Sequence, residues 1–122
     1  MTDLHGQKLD CAWHQHWNHL HASMCQALAD PKRILILYEI HRQPRHVTAL
    51  AESLGLPQST VSRHLRVLRQ RELVRGERHG PSMIYRLTDA RIIEVLEIMQ
   101  EIMFAAAARQ SALRPGPGDG ND

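Results

Sequence analysis

The stretch Leu54-Gly55-Leu56-Pro57-Gln58 constrains this chain more than any other. Before it, Leu50, Ala51 and Leu54 share one face of a helical period. Gly55 then stands where that helix ends, because glycine accepts positive φ without steric cost. After it, Val61, Leu65 and Leu68 recur at i, i+4 and i+7, which marks one buried stripe on a helix from Gln58 to about Arg71. Roughly opposite that stripe lie Ser59, Arg63, Arg66 and Gln70. A short helix, a glycine-containing turn and a second helix that exposes hydroxyl, guanidinium and amide groups form a helix-turn-helix pattern.

The flanking residues extend the pattern. Asp30-Pro31 is a strong helix start, since Asp accepts from free N–H groups and Pro tolerates the first helical position. Ile34, Leu35, Leu37, Tyr38 and Ile40 then predict a buried helix that stops before Pro44, and Arg45 to Thr48 leads into the next one. Past Arg71, Leu73-Val74-Arg75 and Met83-Ile84-Tyr85-Arg86-Leu87 are β-prone, and Gly80-Pro81-Ser82 supplies the turn of a hairpin between them. Thr88-Asp89 caps a last long helix. Its apolar residues Ile92, Ile93, Val95, Leu96, Ile98, Met99, Ile102 and Met103 leave only Glu94, Glu97 and Glu101 as a solvated line. So wide a stripe exceeds what one small domain covers, so a partner chain is expected to bury the rest. Lys8 to Ala27 predicts a first helix whose stripe, Trp13, Trp17, Leu20, Met24 and Ala27, suits packing against the last one.

The expected fold is mainly α with a small β-hairpin wing (α+β), a winged helix-turn-helix that dimerises through its N-terminal and C-terminal helices. Residues 1–29 form the N-terminal dimerisation region, 30–87 the DNA-binding core, 88–113 the C-terminal dimerisation helix and 114–122 a Pro/Gly-rich disordered tail. With 122 residues there is room for one modest core, and only 4% aromatics means that this core is aliphatic. No apolar run is long enough to span a membrane, and Met1 to Leu9 lacks the apolar centre of a signal peptide. The two cysteines, Cys11 and Cys25, are too few for a secreted disulfide scaffold. A cytoplasmic protein is expected.

The net charge is only +2, but the segment from Pro57 to Arg86 holds seven Arg (Arg63, Arg66, Arg69, Arg71, Arg75, Arg78, Arg86) against Glu72 and Glu77. A local basic face on a near-neutral chain points to a polyanion, with double-stranded DNA first. Gln58, Ser59, Thr60 and Ser62 are short donors and acceptors near a helix N-terminus that can enter the major groove. Arg63 can reach guanine edges or phosphate, and Arg66 phosphate. Arg75, Arg78 and His79 belong to the wing, beside the adjacent backbone or minor groove. His64 suits packing or a phosphate contact better than metal ligation. An enzyme is disfavoured, because there is no Gly-rich phosphate loop, nucleophile elbow or framed carboxylate pair. A winged helix used for protein contact would show an apolar or acidic face in place of Ser59, Arg63, Arg66 and Gln70.

These residues resemble the ArsR/SmtB family of winged helix-turn-helix repressors. The resemblance lies in Ala27-Leu28-Ala29-Asp30-Pro31-Lys32-Arg33, in Leu56 to Leu68, and in Leu73-Val74 followed by Arg78-His79-Gly80 and Ile84-Tyr85-Arg86-Leu87. It runs from about Ala22 to Met103. It implies a homodimer built on the first and last helices, repression by occupying a palindromic operator, and release by a metal, a metalloid or a thiol-reactive effector. Some members of the family have no ligand, so a ligand-independent regulator stands as the alternative.

The family's common sensor positions are empty of their ligands here. Arg45 to Leu56 has no Cys-x-Cys pair, Asp89-Ala90-Arg91 puts Arg where an Asp-x-His motif has His, and the last helix holds neither His nor Cys. What remains is the N-terminal helix, where Cys11, His14, His21 and Cys25 share one face with Asn18. Thiolate and imidazole favour soft or borderline metal ions and metalloids. Three readings stand side by side: polar surface of an interfacial helix, metal ligation, and thiol-redox sensing. Cys11 and Cys25 lie about 21 Å apart along one helix, so neither a disulfide nor a single ion can join them within one chain. Cys11 could meet Cys25 or His21 only of a second copy.

Overall fold

The computed structural model describes residues 11–113. The expectations for residues 1–10, for the Cys11 side chain and for the tail from Arg114 to Asp122 lie outside the described residues. Among those described, helices α1 (Cys11–Ala27), α2 (Pro31–Arg42), α3 (Val47–Leu54) and α4 (Gln58–Gln70) precede strands β1 (Val74–His79) and β2 (Ser82–Leu87) and helix α5 (Arg91–Leu113). The chain divides into two units, one through Asp89 and one from Ala90.

The first unit is assembled from its helix ends. The Gln26 and Ala27 carbonyls, left open at the end of α1, accept from the Arg33 guanidinium at 2.9 and 2.7 Å. Asp30 caps α2 by accepting from the Lys32 N–H at 2.8 Å, with Pro31 in the first turn, and that bond holds the Asp30 carboxyl below its ordinary range. Helix α2 buries Ile36, Leu37 and Ile40. Leu35, expected in the buried stripe, is 53% exposed, and Ile36 takes its place. Four consecutive apolar residues, Ile34 to Leu37, leave the phase of that helix open in the sequence. Gln43 is extended before Pro44, as the residue preceding a proline prefers, and α2 stops there.

Helix α3 is capped by His46, whose Nδ1 accepts from the Ala49 N–H at 3.3 Å, and it ends on Gly55 at φ +65°. Glu39 ties α2 to α3. Its carboxylate accepts from Arg42 and from the Ser53 hydroxyl and lies 3.4 Å from Arg45; the Arg42 bond, above all, keeps it below the usual carboxylate range. Helix α4 buries Val61, His64, Leu65 and Leu68. It closes through Glu72, a non-glycine residue at φ +62°, with the Leu73 N–H reaching back to the Leu68 carbonyl at 2.9 Å. The fully buried side chains Ile36, Leu37, Ile40, Leu50, Val61, Leu65 and Leu68 are all aliphatic, and each stabilises the fold by about 1.5–3 kcal/mol.

The strands pair antiparallel from Val74↔Leu87 to His79↔Ser82 around Gly80-Pro81. The first strand is therefore longer than Leu73-Val74-Arg75, and Ser82 is strand, not turn. Gly76 leaves room for Met83, its diagonal neighbour across the ladder, since a Cβ there would lie 2.7 Å from Met83 Sδ. The Tyr85 N–H donates to the Arg45 carbonyl at 2.9 Å and fixes the segment before α3 to β2.

In the second unit, α5 begins at Arg91, just beyond the expected Thr88-Asp89 start, and the Ile93 N–H bonds the Ala90 carbonyl at 3.1 Å. Ile93 and Leu96 are buried, while Val95, Ile98, Met99, Ile102, Met103 and Phe104 are 44–69% exposed. Glu94, Glu97 and Glu101 are exposed as expected. On α1, Trp17, Leu20 and Met24 are also exposed. No described helix is long and apolar enough to cross a membrane.

Candidate nucleic-acid interface

Helix α4 can present a polar face because its other face is anchored. Val61, His64, Leu65 and Leu68 seat it in the core, so residues on the opposite side project outward in fixed order. Gln58, Ser59, Ser62, Arg63 and Arg66 are exposed, as expected, and Thr60 is half-buried at the helix flank. The first turn of α4 offers free N–H groups beside these hydroxyls, a favourable environment for phosphate oxygens. His64 is a packing residue. It is 5% exposed, its Nε2 lies 3.9 Å from Asp30 Oδ2, and burial pushes its pKa below 6.5.

Between α4 and β2 runs an open cleft of about 470 Å³, lined by Ser62, Arg66, Arg69, Gln70 and Tyr85. Arg69, counted above among the basic residues, and Tyr85 are not among the residues expected to contact DNA. The signal for Arg69 is its spacing, three residues beyond Arg66 and seven beyond Ser62; Tyr85 gives none, because its placement depends on the hairpin register.

At the hairpin tip, Arg78 and His79 are both exposed, but as neighbours in a strand they point to opposite faces. Charge counting also overstates the free cations. The Arg71 guanidinium donates to Ser23 Oγ at 2.9 Å and Gln26 Oε1 at 2.8 Å, so it fastens α4 to α1. Arg86 donates to Glu77 at 2.6 Å, and Arg75 lies 3.6 Å from the same carboxylate. The bond from Arg86 is the main reason that the Glu77 carboxyl sits below its ordinary range.

On α1, Cys25 Sγ lies 3.5 Å from His21 Nε2, and the Trp17 ring stacks on His21 at 5.9 Å. His14 is exposed and packs edge-on to Trp13. Of the four candidate ligands, the structure thus brings His21 and Cys25 together. Among the described residues, no three His, Cys, Asp or Glu gather as a metal site within one chain.

The pattern for bacterial regulatory proteins of the arsR family matches residues 30–75, which span α2 to the start of β1. The chain is 47% identical over 76 residues to the HTH-type transcriptional regulator NmtR of Mycobacterium tuberculosis, covering 62% of this chain and 63% of NmtR. It therefore spans less than two thirds of that relative's length. Its structure resembles NolR from Sinorhizobium fredii, with a TM-score of 0.68 and 32% identity over 76% of this chain and 92% of NolR. It also resembles the homodimeric winged helix-turn-helix DNA-binding domain of Mb0332 from Mycobacterium bovis, with a TM-score of 0.68 and 26% identity over 74% and 86% of the two chains. With α3 and α4 as the helix pair and β1–β2 as the wing, this chain is a winged helix-turn-helix protein, and it belongs to the ArsR family of bacterial regulatory proteins.

Proposed function

We propose that this protein is a cytoplasmic, homodimeric transcriptional repressor that occupies a palindromic operator in double-stranded DNA. One observation carries the reading: the face of α4 opposite its buried stripe holds hydroxyl, amide and guanidinium groups, and that face is exposed among the described residues. Gln58, Ser59, Thr60 and Ser62 approach the major groove, Arg63 reads a guanine edge, Arg66 binds phosphate, and Arg78 and His79 contact the flanking backbone. Residues 30–87 form the DNA-binding core. Residues 1–29 and 88–113 form the dimer through the exposed apolar surfaces of α1 and α5, consistent with the homodimeric Mb0332 domain. Arg63→Ala is expected to cost about 1–3 kcal/mol of operator affinity and to relax preference at one base step, whereas Arg78→Ala weakens all sequences about equally. If both variants lose affinity without a change in preference, Arg63 is a phosphate contact and its assigned role is wrong.

A second reading concerns release from DNA, and the Cys25–His21 contact favours it. A thiolate and an imidazole at i, i+4 suit a soft or borderline metal ion or a metalloid, and a lone thiolate suits an oxidant. Two donors do not complete a site, so His14 or Cys11 of a second copy would supply the rest. Binding there would fix the spacing of the two α4 helices and so favour one dimer state. Operator release by zinc, arsenite, peroxide or polysulfide is expected to vanish in the Cys11→Ser, Cys25→Ser double variant. Equal responses in wild type and variant, or none in either, would leave α1 as a purely structural helix and the protein ligand-independent.

A further inference from the structure

The wing carries a carboxylate in the middle of its basic groups. Strand alternation puts Arg75, Glu77 and His79 on one face of the hairpin, and the register sets Arg86 directly opposite Arg75. Two guanidinium groups paired across a ladder repel each other. Glu77 resolves that repulsion from the diagonal position. Its Oε1 accepts from Arg86 Nε at 2.6 Å and lies 3.6 Å from His79 Nε2, while its Oε2 lies 3.6 Å from Arg75 Nε. All four side chains are substantially exposed, between 36% and 58%. Exposed ion pairs of this kind add little to fold stability and exchange readily with competing ions.

We infer that Arg75, Arg86 and His79 form a phosphate-binding site on the wing, that Glu77 fills it in the free protein, and that this internal anion suppresses binding to non-operator DNA. The inference rests on the DNA-binding reading above. Nitrogen donors from two strands converging on one carboxylate offer what a backbone phosphate needs. A phosphate contact carries no sequence information, so an open site would raise affinity for every duplex alike. With Glu77 in place, phosphate must displace a carboxylate. Only a complex already docked through α4 holds a phosphate against the wing long enough to do so. On random DNA the site stays closed and Glu77 repels the backbone.

The test compares full-length Glu77→Gln with Glu72→Gln, which makes the same charge change in the turn after α4. Both are titrated with a selected operator and with a random duplex from about 50 to 200 mM salt. Glu77→Gln is expected to bind the random duplex about fivefold tighter at low salt, the scale of one surface ion pair. Its log–log salt slope should steepen by about one, the signature of roughly one more neutralised phosphate. Operator affinity should rise less, so the specificity ratio falls, and adding Arg86→Ala should cancel the gain. Equal gains in Glu77→Gln and Glu72→Gln would reduce Glu77 to net charge and overturn the inference. Weaker binding of Glu77→Gln to both duplexes would do the same, by making Glu77 a support for the arginines. If wild type binds neither duplex, the DNA-binding reading fails and takes this proposal with it.

Discussion

His64 sits in the helix proposed to face DNA yet belongs to the core, with its Nδ1 buried and, among the described residues, without a hydrogen-bond partner. Burial lowers its pKa below 6.5, and Asp30 offsets only part of that. The sign of the linkage follows. Below about pH 6.5 the unfolded chain binds a proton that the folded chain refuses, so stability falls as pH drops, until the folded imidazole also titrates. Denaturant unfolding at about pH 7.5 and 5.5 should show wild type losing more stability than His64→Gln, by up to about 1.4 kcal/mol per pH unit within that window. Equal losses would mean that His64 is not held neutral. At this scale the sequence is legible for residues whose role depends on helical spacing: Ser59, Arg63 and Arg66 emerge on the expected face. It is not legible for Arg71, Arg75 and Arg86, whose charges are engaged by Ser23, Gln26 and Glu77. Those partners lie across the fold or across a ladder, and no local pattern announces them.

Helix boundaries are readable where a residue's backbone chemistry matches its place. Gly55 marks the end of α3 and adopts φ +65°. The end of α4 falls on Glu72 at φ +62°, a left-handed position without glycine, so nothing in the sequence flags it. The two turns therefore predict opposite outcomes. Gly55→Ala meets no atom within 4 Å of its new Cβ, so its cost is backbone strain alone, about 1–2 kcal/mol, read as a lower Tm. Glu72→Gly relieves the same strain and should raise Tm, with the gain reduced by the added freedom of the unfolded chain. Thermal unfolding that moves both variants in one direction would contradict this account of the turns. The phase of α2 and the length of β1 escape the sequence for a related reason. A continuous apolar run has no period to read, and Arg75 to His79 pairs through register, not through β propensity.

Across the whole chain, the informative quantity is apolar surface left uncovered. The first unit closes an aliphatic core, whereas α5 leaves seven large apolar side chains at least 44% exposed. The breadth of that stripe is visible in the sequence, where the spacing of Ile92 to Met103 already argues for a second copy. In the proposed repressor, the arrangement of the two α4 helices of such a dimer dictates the form of its target. A two-fold protein reads a two-fold site, with half-sites about one or two helical turns apart, or about 10 or 21 base pairs. The most direct measurement is selection of bound sequences from a pool of random duplexes by the full-length protein. An imperfect inverted repeat with that spacing is expected, and recovery of bound sequences with no inverted repeat would contradict a two-fold reading of DNA.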